Sequence, residues 1–368
     1  MSQSRLHSLA AAGVSVWIDS LSREMLQSGE LARLMSEDAV SGVTSNPTIF
    51  QKALAEGDLY DAQLAELTAT VSDPVELFFQ LAMEDIRAAC DLMRPVHDAT
   101  GGVDGFVSLE VDPRLAYDRE ATFAQALRFH TEVDRPNLYV KIPATQIGLG
   151  AIEDCIAKGK SINVTLIFSL ERYAAVAEAY IRGLERLVAS GGNASSVNSV
   201  ASFFVSRVDS EADKRLEAAG HPELAGKLAI ANAKLAYEHW QQAFSGERWA
   251  FLEGKGARPQ RCLWASTSTK NPEYRDVIYV EELIGRESVN TMPMETVKAF
   301  QDHGEIKAGS ITADVADAHA LLARLAAAGI DYDDVVAVLE QEGVDKFADS
   351  FRQLLDGIMA KTRVLQAA

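Results

Sequence analysis

The chain has 368 residues, 48% of them apolar, which is material for one large globular domain or two smaller ones. Its 35 basic residues against 53 acidic ones leave a net charge of −18, a surface that repels nucleic acid and anionic membranes. No uninterrupted apolar run is long enough to span a bilayer, and the N-terminal MSQSRLHSLAAAGVSVWIDS lacks the apolar core of a leader peptide.

Cys90, Cys155 and Cys262 lie far apart with no CxxC pair, which argues against a disulfide framework or zinc ribbon and for three small buried hydrophobes in a reducing compartment. A cytoplasmic protein is expected.

In chain order, eight short apolar runs are predicted as strands: Val14–Asp19, Gly42–Asn46, Gly105–Asp112, Leu138–Ala144, Ile162–Phe168, Val200–Val208, Arg261–Ser268 and Val289–Pro293. Each is followed by a helical stretch. These are Gly29–Met35, Pro74–Met93, Glu120–Glu132, Gly148–Lys158, Leu170–Ser190, Glu211–Ala243, Glu273–Leu283 and Met294–Gln301. Repeated strand-then-helix order implies a parallel sheet, and a count of eight predicts a closed (β/α)8 barrel spanning residues 1–368. A doubly wound open sheet is the alternative, but Ile18-Asp19-Ser20-Leu21 is not the glycine-rich turn that usually follows its first strand. Ser245–Gln260 reads as a surface loop, with Trp249 and Phe251 packing part of it down. Two further helices, Ala313–Ala328 and Tyr332–Leu365, form a C-terminal extension (313–368) long enough to cover one end of the barrel.

Barrel enzymes work at the C-terminal ends of their strands. There this chain places Asp19 on the first strand and Thr44-Ser45-Asn46-Pro47 on the second. Glu110 sits on the third, Lys141 on the fourth, Asn163 and Thr165 on the fifth, Ser202 and Arg207 on the sixth. The seventh carries Ser266 and Ser268, with Lys270 just beyond. Taken singly, each has an ordinary reading: Asp19 a helix cap, Asn46-Pro47 a turn, Lys141 a snorkelling cation paired at a rim. Together at equivalent strand ends they favour a site, because buried polar groups need partners.

The residue types fit imine chemistry. An unperturbed lysine is neutral at pH 7 in only roughly one molecule in a few thousand, so a nucleophilic lysine needs desolvating surroundings, and the apolar neighbours Val140 and Ile142 are of the kind that would supply them. Such an amine can form a Schiff base with a carbonyl substrate. Glu110, working with the Thr165 hydroxyl and a water, can shuttle the protons of the carbinolamine, which leaves Asp19 as base for a departing hydroxyl proton. The seven histidines form no paired metal spacing, and no Walker or G-x-G-x-x-G loop follows a strand.

Five ordered motifs resemble the transaldolase family, in its longer bacterial subgroup. Val43-Thr44-Ser45-Asn46-Pro47-Thr48-Ile49-Phe50 is similar to the first family signature and Asn137-Leu138-Tyr139-Val140-Lys141-Ile142-Pro143-Ala144-Thr145 to the active-lysine signature. Ser108–Asp112, Ile162–Phe168 and Ala201–Arg207 follow the family in the same order. The resemblance implies a (β/α)8 barrel with Lys141 as Schiff-base lysine, Glu110 and Thr165 activating a water, and Asp19 handling the proton of the cleaved unit. It assigns Asn46 and Asn163, beside Thr44, to the dihydroxyacetone portion, and Ser202, Arg207 and Ser266 to the substrate end that carries phosphate. Shorter relatives carry Ser-x-Arg on strand seven. Here the run is Ser266-Thr267-Ser268-Thr269-Lys270, so Lys270 is expected to stand in for that arginine as a point charge.

The implied reaction moves a dihydroxyacetone unit from sedoheptulose 7-phosphate to glyceraldehyde 3-phosphate, a pentose phosphate step with no metal or cofactor. Expected partners are sugar phosphates only, with the chain a monomer or homodimer. Two rival readings remain. A fructose 6-phosphate aldolase would release dihydroxyacetone to water, but such relatives are shorter and carry a tyrosine where Glu110 stands. A non-catalytic sugar-phosphate-binding barrel would be expected to have lost Lys141 or Glu110.

Overall fold

The computed structural model describes residues 4–55 and 57–367. Eight parallel strands close on themselves in sequence order: β1 (Val14–Ile18), β2 (Val40–Val43), β3 (Phe106–Glu110), β4 (Leu138–Pro143), β5 (Ile162–Ile167), β6 (Ser199–Phe204), β7 (Arg261–Ala265) and β8 (Ser288–Met292). β8 returns to pair with β1, so no edge is left open. This is the (β/α)8 barrel expected from the sequence, with helices packed around it.

The pairing register explains which side chains meet. Glu110 lies opposite Lys141, Lys141 opposite Asn163, and Pro143 opposite Thr165. Alternation then sends Trp17, Phe106 and Tyr139 into the barrel below the polar strand ends. Phe106 and Tyr139 stack at 4.1 Å, and Trp17 lies 6.1 Å from Tyr139. The indole of Trp17 takes the space where a side chain at position 42 would go. A Cβ on Gly42 would fall 2.4 Å from Trp17 Cε2, so this layer of the barrel requires glycine there.

The outer helices start where capping chemistry allows. Ser22, Asp73, Asp118 and Ser169 each accept a backbone N–H in the first turn of the helix that follows, and Pro74 sits at the first position of the long helix Pro74–Ala99. The last helix, Tyr332–Ala367, crosses the C-terminal end of the barrel. Its Gly343 abuts Leu166 and Phe168, and its Phe351 packs edge-on against Phe78 at 5.5 Å. Tyr332 ties its start to the barrel helices, donating to Asn232 Oδ1 at 2.7 Å and accepting from the Leu170 N–H at 3.1 Å. Among the described residues no helix is long and apolar enough to cross a membrane, and Cys90, Cys155 and Cys262 are buried and free.

Several local expectations fail for identifiable reasons. Ser245–Gln260 is not all loop: Gly246–Glu253 is a helix that buries Trp249 and leaves Phe251 58% exposed. The stretch Glu211–Ala243 is broken into two helices, Ser206–Ala219 and Leu228–Ala243, because Gly220 ends the first at φ 80° and Pro222 cannot continue it. Glu273–Leu283 is helical only over Ile278–Glu281. The helices Arg5–Ala11, Pro47–Ala55 and Asp61–Leu67 were not anticipated.

Candidate active site

Lys141 sits at the C-terminal end of β4 with 5% of its surface exposed. Its Nζ donates to the Ser45 carbonyl at 2.9 Å and lies 3.2 Å from Glu110 Oε2. Neither carboxylate oxygen of Glu110 has a hydrogen-bond partner among the described residues. Burial therefore pushes the Glu110 carboxyl above the usual carboxylate range; the Lys141 ammonium opposes that shift and the Asp19 carboxylate adds to it. The other polar atom left alone nearby is Thr165 Oγ1, buried and unpaired on β5. One residue past it, Leu166 takes a left-handed φ of 60° and the β5–β6 register slips between Val164 and Ile167. A bulge beside a functional side chain is a common way to re-aim it.

Asp19 follows β1 and is half-buried in the wall of a cavity of about 260 Å³. It accepts from Thr44 Oγ1 at 2.9 Å, and Thr44 Oγ1 also meets Thr291 Oγ1 at 2.8 Å. Burial raises the Asp19 carboxyl, against the pull of Lys141, the Thr44 hydrogen bond and Arg207. The short segment after β2 thus serves three neighbours at once. Thr44 fixes Asp19, the Ser45 carbonyl holds Lys141, and Asn46 Oδ1 caps the helix Pro47–Ala55 by accepting from Ile49 N at 3.0 Å. Asn46 and Thr44 both line the cavity.

Asn163, in register with Lys141, is fully buried, its Nδ2 donating to Ser108 Oγ at 3.1 Å and its Oδ1 accepting from Ser202 Oγ at 2.7 Å. In this arrangement it fixes Ser202, which does line the cavity.

The far wall carries the positive charge. Strand six stops at Phe204, so Arg207 lies not on a strand but in the first turn of the helix Ser206–Ala219. Its guanidinium stacks over Phe204 at 5.2 Å, forms no ion pair among the described residues and has a buried, unpaired Nη1. Burial lowers its pKa from the ordinary arginine value while Asp19 and Glu342 oppose the shift. Strand seven likewise ends early, at Ala265. Ser266, at φ 57°, turns the chain and meets Ser206 Oγ at 2.9 Å. Ser268 accepts from Lys270 Nζ at 2.8 Å, and both line the cavity with Arg207. A helix start, a guanidinium and an ammonium on one wall suit an anionic group of a substrate.

Six lining residues had no role assigned from sequence: Phe204, Ala265, Thr291, Pro293, Glu295 and Phe347. Thr291 is inward-facing by strand alternation, so that signal was available. Phe347 comes from the C-terminal helix, and its ring sits 5.9 Å from Lys141 Nζ; nothing local in the sequence marks it. No group of histidine, cysteine, aspartate and glutamate that would hold a metal is found among the described residues.

Residues 16–358 match the family model described as Transaldolase/Fructose-6-phosphate aldolase. Similar curated proteins include the Transaldolase of Frankia alni, 54% identical over 356 residues and 96% of each chain. The Transaldolase of Acidothermus cellulolyticus is 53% identical over 99% of this chain and 97% of its own. That of Mycolicibacterium smegmatis is 52% identical over 95% of each. With a match of this length and identity, and a closed barrel carrying lysine and carboxylate on adjacent strands, the chain belongs to the transaldolase/fructose-6-phosphate aldolase family.

Proposed function

We propose that this chain is a transaldolase that carries a dihydroxyacetone unit from sedoheptulose 7-phosphate to glyceraldehyde 3-phosphate through a Schiff base on Lys141. The observation that supports this reading best is the buried Lys141–Glu110 contact at 3.2 Å, with Lys141 lining a cavity it shares with Asp19 and Arg207.

The Lys141 amine attacks the donor's ketone carbon to give a carbinolamine. Glu110, with a water held between it and the Thr165 hydroxyl, protonates the carbinolamine oxygen, which leaves as water to give the iminium. Glu110 Oε1 and Thr165 Oγ1, both buried and without a hydrogen-bond partner among the described residues, support a water-bridging role. Asp19 then removes the proton of the hydroxyl on the far carbon of the bond to be broken. That bond's electron pair flows into the iminium, leaving an enamine and free erythrose 4-phosphate. Attack of the enamine on the incoming aldehyde, with Asp19 returning its proton, makes the new bond. Hydrolysis releases fructose 6-phosphate and restores the amine. Throughout, Ser202, Arg207 and Lys270 hold the phosphate at the far wall while Asn46 borders the transferred unit.

The substrates implied are dissolved sugar phosphates, and we place the enzyme in the cytoplasm, where buried free thiols stay reduced. The test is a coupled assay with fructose 6-phosphate, with and without erythrose 4-phosphate, following glyceraldehyde 3-phosphate. Release strictly dependent on erythrose 4-phosphate supports transfer. Equal release without acceptor, with free dihydroxyacetone, assigns aldol cleavage instead.

A further inference from the structure

A second cavity, of about 790 Å³, opens at the opposite end of the barrel from the chemistry. It is built where strands begin: Ser15 before mid-β1, Ser41 in β2, Tyr139 in β4, Ser199 in β6 and Arg261 in β7. Its volume falls within the roughly 300–1,000 Å³ of small-molecule sites.

Three guanidiniums line it, from Arg258, Arg261 and Arg286, and none forms an ion pair among the described residues. Two are fixed by neutral acceptors that leave their charge uncancelled. Arg261 donates to the carbonyls of Val103 at 3.1 Å and Ser288 at 3.0 Å, and Arg258 donates to the Gly101 carbonyl at 2.7 Å. Arg286 is exposed and makes no side-chain hydrogen bond among the described residues. Two acids share the lining. The Asp104 carboxylate is occupied by Trp17 Nε1 at 2.7 Å, Ser41 Oγ at 2.8 Å, Gly105 N at 3.1 Å and the Ser15 hydroxyl, and Glu287 is exposed. The balance is locally positive in a chain of net charge −18.

The rest of the wall is different in kind. Ala10, Ala12, Val14, Val103 and Pro259 offer apolar surface. Tyr139 is buried in a stack with Phe106, and its hydroxyl has no hydrogen-bond partner among the described residues. Guanidiniums in a fixed fork select phosphate oxygens, and an apolar wall with a phenol accommodates a planar body bearing a few polar atoms. We propose that this N-terminal mouth is a binding site for a phosphorylated small molecule with an apolar or aromatic body, of the size of a nucleoside monophosphate. It is separate from the catalytic cavity, though Tyr139 stands two residues before Lys141 on the same strand.

AMP is the probe, with adenosine as the control that lacks the phosphate, titrated calorimetrically into the full chain carrying Arg207→Ala. That background removes the guanidinium of the catalytic cavity. One AMP per chain is expected, with adenosine at least tenfold weaker. Adding Arg286→Glu, at an exposed position without side-chain hydrogen bonds among the described residues, or Val103→Trp, which fills the cavity, should weaken AMP tenfold or more. Either change made alone in the wild-type chain leaves transferase activity unchanged. The proposal is overturned by no AMP binding at millimolar concentration. It is equally overturned by adenosine matching AMP, or by AMP binding that Arg207→Ala abolishes and Arg286→Glu spares.

Discussion

Replacing Arg207 by alanine should separate binding from folding, because the two depend on that guanidinium with opposite signs. Arg207 is half-buried, stacked on Phe204 and without an ion pair among the described residues, so the folded protein bears a desolvated charge that Asp19 and Glu342 offset only from a distance. Removing it gives up the stacking, worth about 0.5–1 kcal/mol, but also relieves that desolvation. The melting temperature should therefore stay within a few degrees of wild type, or rise. On the proposed reading, substrate phosphate supplies its partner. Two charge-assisted hydrogen bonds to it, at about 1.5–3 kcal/mol each, set a loss of roughly 3–6 kcal/mol. Lys270 on the same wall retains part of the interaction, so we expect about 3–4 kcal/mol, a few-hundredfold drop in kcat/KM. The assay compares erythrose 4-phosphate with unphosphorylated erythrose as acceptor, fructose 6-phosphate being the donor in each case and its half-reaction measured separately by pre-steady-state loading. Activity toward the phosphorylated acceptor should collapse toward the unphosphorylated level. An equal proportional loss with both acceptors, or a chain that no longer folds, would refute the assignment of Arg207 to phosphate.

Glu110→Gln keeps the shape but cannot exchange protons, and should lower kcat by about 10²–10⁴ with far-ultraviolet circular dichroism unchanged; a loss below tenfold would remove Glu110 from the proton path. Gly42→Ala puts a Cβ 2.4 Å from the Trp17 indole inside the barrel, and chemical denaturation should report a loss of about 1–3 kcal/mol or more; a variant as stable as wild type would show that this layer yields easily. Asp209 is buried, accepts from Ala229 N and the Tyr279 hydroxyl at 2.7 Å each, and burial pushes its carboxyl up to about 7. Between the unfolded value near 4 and that raised value the folded state holds a proton that the unfolded state has lost. Its contribution to stability is therefore present at low pH and falls as pH rises through that window, by up to roughly 1.4 kcal/mol per pH unit. Denaturation of wild type and Asp209→Asn from pH 4 to 8 tests this, since the asparagine should flatten the dependence, and parallel curves would contradict it.

Much of the architecture was legible because β/α periodicity is a local signal. Eight apolar runs, each followed by an amphipathic stretch, are enough to specify a barrel, and polar residues at equivalent strand ends mark its working face. The boundaries were less legible where the chain turns on buried polar residues. Val205 to Arg207 are apolar enough in context to extend a strand pattern, but Ser206 N is taken by the Ser266 carbonyl at 3.0 Å and the chain turns into a helix there. Glu211–Ala243 reads as one helix because Gly220 and Pro222 interrupt a pattern that is otherwise periodic on both sides. Asn163 illustrates the limit at the site. Alternation turns it inward beside Thr165 and register sets it opposite Lys141, but its amide is taken up by Ser108 and Ser202, partnerships that the sequence does not announce. Phe347 was beyond reach, since it approaches Lys141 from a helix more than 200 residues later whose placement depends on contacts such as Gly343 against Leu166 and Phe168.

The central claim is that Lys141 carries the substrate covalently, and borohydride trapping with fructose 6-phosphate, read by intact mass and peptide mapping, tests it most directly. The account predicts one reduced three-carbon adduct per chain, confined to Lys141 and absent from Lys141→Ala. A folded protein that binds fructose 6-phosphate yet gives no adduct at Lys141, or gives it on another lysine, would contradict the account.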